Sequence, residues 1–264
     1  LVNSLLDFAT FSPLSAVKAS YLAETWIPII PMTFSEALTI GKLVRRYRRF
    51  LADVVLESGE TVTAHCPNTG SMLGLKQAGN RVWISRADNP KRKLAWTWEL
   101  VEPAPGVLVG IHTGRANGLV REALEAGLIP ELAGFDGIRP EARLSDRSRT
   151  DLLLEFAGRP CFVEVKSVTA AVEGDTGFFP DAVSERASKH MEELAEAVGR
   201  GARAAVVFCV QREDVAAVRP ADHIDPAFGR HLRRAAEAGV ELFALGARVT
   251  PQAIVLERRL PVLF

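Results

Sequence analysis

An α+β protein of two domains is what the sequence predicts: a small β-barrel followed by an α/β layer with a mixed sheet. Three observations carry this expectation. About five short strand-like runs fall within roughly seventy residues between Gly41 and His112. Beyond them the apolar residues switch to helical spacing, and strands begin to alternate with helices. A hairpin rich in charge opens that second half.

Residues 1–39 read as an N-terminal extension outside the core fold. Residues 1–31 carry few charges and end on Trp26-Ile-Pro-Ile-Ile-Pro31, which neither helix nor strand would keep. The chain opens on Leu1, and Met32 sits just before the first organised segment, so a misplaced start is the expectation.

Residues 40–112 form the barrel. A strand over 50–56 turns at Ser58-Gly59-Glu60 into a second over 61–65, and Pro67-Asn68-Thr69-Gly70 is dense in turn formers. Runs at 81–85, 96–101 and 107–111 complete the set, with Trp83, Trp96 and Trp98 as barrel core. The OB type is the natural candidate for such a small barrel.

Residues 113–264 form the α/β layer. Leu119, Val120, Ala123, Leu124 and Leu128 repeat at helical spacing, ended by Gly127 and Pro130. Strands over 151–156 and 161–166 flank Gly158-Arg159-Pro160. A helix over 184–198 has Val183, Ala187, Met191, Leu194 and Val198 on one side. An apolar strand over 204–210, a helix over 226–238 and strands near 241–245 and 253–256 follow.

Acids and bases balance at 32 each, so no global charge draws an acidic partner. Local charge is uneven: Lys42, Arg45, Arg46, Arg48 and Arg49 cluster, and Arg86, Lys91, Arg92 and Lys93 make a second basic group. Cys66, Cys161 and Cys209 are odd in number and widely spaced, against a disulfide framework or zinc knuckle and in keeping with a reducing cytoplasm. No apolar stretch reaches the roughly 20 residues of a membrane span. Nothing in the sequence sets an oligomeric state.

The 151–167 hairpin carries the chemistry. A turn centred on Gly158-Arg159 sets Asp151 opposite Lys166, and alternation puts Glu164 on the same face as Lys166. Cys161, Val163 and Val165 then face the core. Two carboxylates are hard oxygen ligands suited to Mg2+ or Mn2+, and a nearby ammonium orients water and offsets developing charge. This is the PD-(D/E)xK arrangement. The plain alternative is a solvated face with a cross-strand ion pair, worth about 0.2–1 kcal/mol.

Supporting residues follow. Glu122, on the helix before the hairpin, is a candidate third metal ligand or a solvated carboxylate, with Glu125 competing for the role. Arg149 reaches either a phosphate or an acid. Arg186, Lys189 and Glu193 lie away from the apolar stripe of the 184–198 helix, with His190 close by, so Arg186 and Lys189 are candidate phosphate contacts. Arg45, Arg46, Arg48 and Arg49 interleave with Tyr47 and Phe50, either as a nucleic-acid surface or as a charged strand edge. His65 to Gly70 reads as a shaped loop that contacts substrate.

Six ordered segments, at 46–54, 65–72, 97–100, 148–151, 164–169 and 179–186, resemble the sugar fermentation stimulation protein A family. They include His65-Cys-Pro-Asn-Thr-Gly-Ser-Met72, Ser148-Arg-Thr-Asp151 and Glu164-Val-Lys-Ser-Val-Thr169, and the resemblance runs from about Val44 to the C-terminus. That family's chains usually begin near the position of Met32. The resemblance implies an N-terminal OB-like barrel, a C-terminal PD-(D/E)xK nuclease-like domain and non-specific DNA binding. The family's core acids and lysine carry over onto Asp151, Glu164 and Lys166. Two functions are therefore expected: a DNA-binding phosphodiesterase using Mg2+ or Mn2+, or a non-catalytic DNA-binding regulator of sugar (maltose) metabolism.

Overall fold

A computed structural model describes residues 32–264 except 88, 90, 147, 172 and 173. The expectation for 1–31 lies outside the described residues.

Strand β1 (Met32–Thr33) precedes a barrel of β2 (Thr39–Tyr47), β3 (Leu51–Leu56), β4 (Thr61–His65), β5 (Arg81–Arg86), β6 (Trp96–Ala104) and β7 (Val107–Gly110). Five strands close in the order β4-β3-β2-β5-β6, through a parallel pairing of β4 with β6, and β7 extends β6. The basic run is itself a strand: Gly41 and Leu43 turn inward while Lys42, Val44 and Arg45 face solvent. Trp98, Leu43, Ile84 and Met72 fill the interior. Trp96 packs partly buried against this core. Trp83 departs from expectation: it points out of the barrel and joins the core of the second domain.

The second domain contains α1 (Ala116–Glu125), β8 (Gly137–Arg143), β9 (Arg149–Phe156), β10 (Arg159–Val168), β11 (Thr176–Phe179), α2 (Glu185–Gly199), β12 (Arg203–Val210), β13 (Ala217–Pro220), α3 (Pro226–Glu237), β14 (Glu241–Val249) and β15 (Ala253–Leu260). Its main sheet runs β1-β15-β14-β12-β10-β9-β8. The centre β10-β12-β14 is parallel and the flanks are antiparallel, a mixed sheet as expected. β11 and β13 form a separate parallel pair. One sheet face packs on α1 together with Trp83 and Leu100 of the barrel, and the other on α2 and α3. Ser184 caps α2 by accepting the Ala187 N–H, and Asp225 caps α3 at Phe228.

Three further expectations need correction. Residues 32–39 are not outside the fold: β1 pairs with β15 (Met32 opposite Ile254), and Met32, Phe34 and Leu38 pack on the core. An open sheet edge and an apolar face recruit this short segment. The β9–β10 turn is the two-residue Ala157-Gly158, with Gly158 at φ 79°, not a loop centred on Gly158-Arg159. Arg159 faces Phe156 and Pro160 faces Glu155. The pair next to the closing one is the non-hydrogen-bonded kind, so Pro160 removes no ladder bond to β9. Val183 is 72% exposed rather than on the buried stripe, because it precedes the Ser184 cap and so lies before the helix.

Candidate functional site

The corrected register slides β9 by two residues against β10, and a shift of two preserves which face each side chain takes. The ladder ends at Leu152 opposite Val163, and one further step sets Asp151 beside Glu164. There the Asp151 side chain replaces the missing ladder bond, its Oδ2 accepting the Val165 N–H at 2.8 Å. Its Oδ1 accepts from Asn117 Nδ2, at the start of α1, at 3.1 Å. Cys161, Val163 and Val165 face the α1-side core as expected. Phe162 and Val168 pack on the α2 side.

Glu164 and Lys166 are buried, at 3% and 8% exposure. Lys166 Nζ donates to Glu164 Oε1 at 2.6 Å and lies 5.8 Å from the Phe179 ring centre. His190 Nδ1 reaches the same Oε1 at 2.6 Å. Glu164 Oε2 is buried with no hydrogen-bond partner among the described residues. Burial raises the Glu164 carboxyl, but the His190 hydrogen bond and the Lys166 charge outweigh it and hold the group below the ordinary glutamate value. Asp151 goes the other way: burial first and the neighbouring Glu164 charge second raise it, despite bonds from Val165 and Asn117. Two adjacent carboxyls pushed apart in this way make the pair a functional-site candidate.

Asp151 and Lys166 line a cleft of about 380 Å³ between the domains. Its far wall is the Asn68-Thr69-Gly70 loop of the barrel, and Thr113, Asn117, Ser167, Thr169 and Phe178 complete much of the lining. Thr113 Oγ1 donates to Pro67 O at 2.9 Å, and Asp181 Oδ2 accepts the Met72 N–H at 2.8 Å, holding that wall in place. A Cβ at Gly70 would meet the Asp181 carboxylate, which would have to shift away from the Met72 N–H it accepts.

The four arginines of the barrel divide. Arg46 donates to the carbonyls of Arg49, Asn68 and Gly70, and Arg49 to Thr69 O, so both support the cleft wall. Arg45 pairs with Asp53 at 2.8 Å, and Arg48 is exposed at the β2–β3 turn. Burial raises the Asp53 carboxyl, yet bonds from Arg45, Thr63 and Tyr47 outweigh it and leave it below the ordinary value. Its contribution to stability is therefore present above the usual aspartate range and lost as pH falls through the lowered folded-state value. Acid unfolding followed by circular dichroism should show a smaller pH-induced loss in Asp53→Asn than in the parent chain, and equal losses would contradict this.

Arg149, Arg186 and Lys189 come together, lining a groove of about 870 Å³ with Arg143 and His190. Arg149 donates one bond to the Glu141 carbonyl, and Lys189 lies 3.8 Å from Glu193. Glu193 itself is 8% exposed and bonded to Ser145, not turned to solvent, because the β8–β9 loop covers that side of α2.

Glu122 is not brought to the pair. α1 starts at the site with Asn117 and runs away from it, so Glu122 lies five residues, about 7.5 Å, further along the axis. Its carboxylate accepts the Met32 N–H at 3.1 Å instead. Among the described residues no three His, Cys, Asp or Glu side chains gather as a metal-holding group. Asn117 and His190 complete the surroundings of the two acids; neither spacing nor residue type singles out Asn117, while His190 stands out only as a histidine on the flanking helix.

Comparison with known proteins gives a consistent result. The family model described as the SfsA N-terminal OB domain matches residues 44–111, and that described as the sugar fermentation stimulation protein RE domain matches 114–253. The sugar fermentation stimulation protein homolog of Thioalkalivibrio sulfidiphilus is 59% identical over 232 residues, covering 88% of this chain and 98% of that protein. The homolog from Geobacter sulfurreducens is 57% identical over 232 residues, covering 88% and 99%. The solved structure of Pyrococcus furiosus SfsA in complex with Ca2+ superposes with a TM-score of 0.79 at 29% identity, covering 88% of this chain and 98% of that one.

Proposed function

The chain belongs to the sugar fermentation stimulation protein family, and from that premise we propose that it binds DNA and hydrolyses phosphodiester bonds at Asp151, Glu164 and Lys166 with a divalent metal, Mg2+ or Mn2+. One observation carries the reading: beside Asp151, a buried glutamate keeps one oxygen without a partner among the described residues while its other oxygen is held by two donors. A buried acceptor without a partner is destabilising unless something fills it, and a hard cation is what a carboxylate pair suits. The Ca2+ of the Pyrococcus furiosus structure supports a divalent ion in this fold. Two carboxylates are enough for Mg2+, which ordinarily keeps waters and takes substrate phosphate for its remaining positions.

Asp151 and Glu164 would hold the ion, which when bound lowers the pKa of a coordinated water and neutralises charge on the phosphate. Asn117 and the Val165 N–H orient Asp151. Lys166 sits at the cleft wall, where its ammonium orients the attacking water and offsets charge on the phosphoryl oxygens. The strand lies along the groove of Arg149, Arg186 and Lys189, whose cations pair with phosphates. Arg48 and Arg45 would add phosphate contacts on the barrel, while Arg46 and Arg49 act through the loop they support.

A nicking assay on supercoiled DNA tests the proposal. The parent chain is expected to nick with Mg2+ or Mn2+ and not with chelator. Glu164→Ala should lose nicking yet keep DNA binding, and removing Arg149, Arg186 or Lys189 should each flatten the log K against log salt slope by about 0.9. Binding without cleavage in either metal would leave the non-catalytic regulator as the function of this fold.

A further inference from the structure

His190 has no part in the chemistry above, yet it is 6% exposed and 2.6 Å from Glu164 Oε1. An ionised carboxylate only accepts, so the ring nitrogen Nδ1 is the donor. Lys166 Nζ occupies the same oxygen at 2.6 Å. The Lys166 ammonium hangs on a flexible stem from the same strand as Glu164 and does not fix the plane of that carboxylate, whereas the rigid His190 ring comes from α2 and does. Both sit on Oε1, and the consequence is an Oε2 aimed away from them with no partner among the described residues.

Helix α2 does not need His190 for its own placement. Ala187, Met191, Leu194 and Ala197 anchor it in the core, and Ser184 caps its start. The imidazole therefore acts toward Glu164 rather than toward packing. Its ring also lines the groove of Arg149, Arg186 and Lys189, so it stands between that groove and the acid pair.

We propose that His190 is a positioning residue: its Nδ1 clamps Glu164 Oε1 so that Oε2 is presented to the divalent ion. The inference rests on the metal-centre reading above. Outer partners of ligating carboxylates commonly contribute 10–100-fold in metal affinity.

Mn2+ binding by the full chain, measured by calorimetry, tests it through two amides. An asparagine at this position sets its side-chain nitrogen near the place of Nδ1, whereas a glutamine sets it near Nε2. His190→Asn should bind Mn2+ close to the parent affinity, and His190→Gln about 10–100-fold more weakly, with unfolding temperatures alike. His190→Ala carries the same expectation as His190→Gln should the longer amide disturb the helix. Equal Mn2+ affinity in the Asn, Gln and Ala variants would overturn the positioning role while leaving the metal centre standing. Absence of Mn2+ binding in the parent chain would instead overturn the metal centre itself.

Discussion

Glu164→Gln is expected to abolish measurable Mn2+ binding, a loss greater than about 100-fold, while Lys166→Ala keeps or strengthens it and loses turnover. The two residues touch through one oxygen, so the contrast is diagnostic. In Glu164→Gln the amide oxygen goes to the Lys166 and His190 donors, because only it accepts. The amide nitrogen then occupies the place of Oε2 and offers the ion neither charge nor a lone pair. Lys166→Ala removes a cation that competes for the same carboxylate, so metal affinity does not fall. What falls is stabilisation of the reacting phosphate, by about 100–1,000-fold, as for loss of one preorganised donor. Parallel calorimetry and single-turnover cleavage separate the two effects. Loss of Mn2+ binding in Lys166→Ala as deep as in Glu164→Gln would mean that the lysine only holds the glutamate in place.

The largest effect on stability is expected where the domains join. Glu99 on β6 is 2% exposed and accepts two bonds from Arg115, just before α1, at 2.7 and 2.8 Å. Ser85 Oγ supplies a third at 2.8 Å. Removing Arg115 leaves a buried carboxylate with the Ser85 hydroxyl as its one remaining hydrogen-bond partner among the described residues, and breaking one partner of a buried pair costs about 3–5 kcal/mol. Arg115 keeps a quarter of its side chain exposed, which favours the lower end. Arg115→Met should therefore lower Tm by several degrees, at about 2–4 °C per kcal/mol for a domain of 150–250 residues. Adding Glu99→Gln should restore part of the loss. A decrease of less than about 1 kcal/mol, the level of an exposed pair, would contradict the account.

Much of this architecture was legible in the sequence, for reasons that differ by element. The acidic face of the hairpin survived a wrong turn because strand alternation depends on parity, and the register error was two residues. α2 was legible from its apolar spacing, and the helix expected over 226–238 is α3. β2 was hidden as a strand because its exposed positions mix Ile40 and Val44 with Lys42 and Arg45, so apolar and polar residues do not alternate cleanly. β8 is an edge strand carrying Pro140 and few apolar residues, so its pattern is weak. β11 and β13 are four-residue strands that pair with each other outside the main sheet.

The site was legible where it lies on one hairpin and illegible where it is assembled. Asp151, Glu164 and Lys166 share consecutive strands, but His190 arrives 26 residues beyond Glu164 and Asn117 precedes Asp151 by 34. Glu122 illustrates the same limit: residue type and helix face favoured it, and the direction of α1 through space took it to β1. The His65–Gly70 loop was readable as a shaped loop, yet that Arg46 and Arg49 support it depends on the closure of the barrel.

The central claim is that Asp151 and Glu164 share one divalent ion. A crystal of the full chain soaked in Mn2+ and measured at an anomalous wavelength tests it most directly. The account predicts one Mn2+ peak contacted by Asp151 and by Glu164 Oε2, with Lys166 and His190 still on Oε1. No peak at saturating Mn2+, or an ordered ion elsewhere with Oε2 still unpartnered, would contradict it.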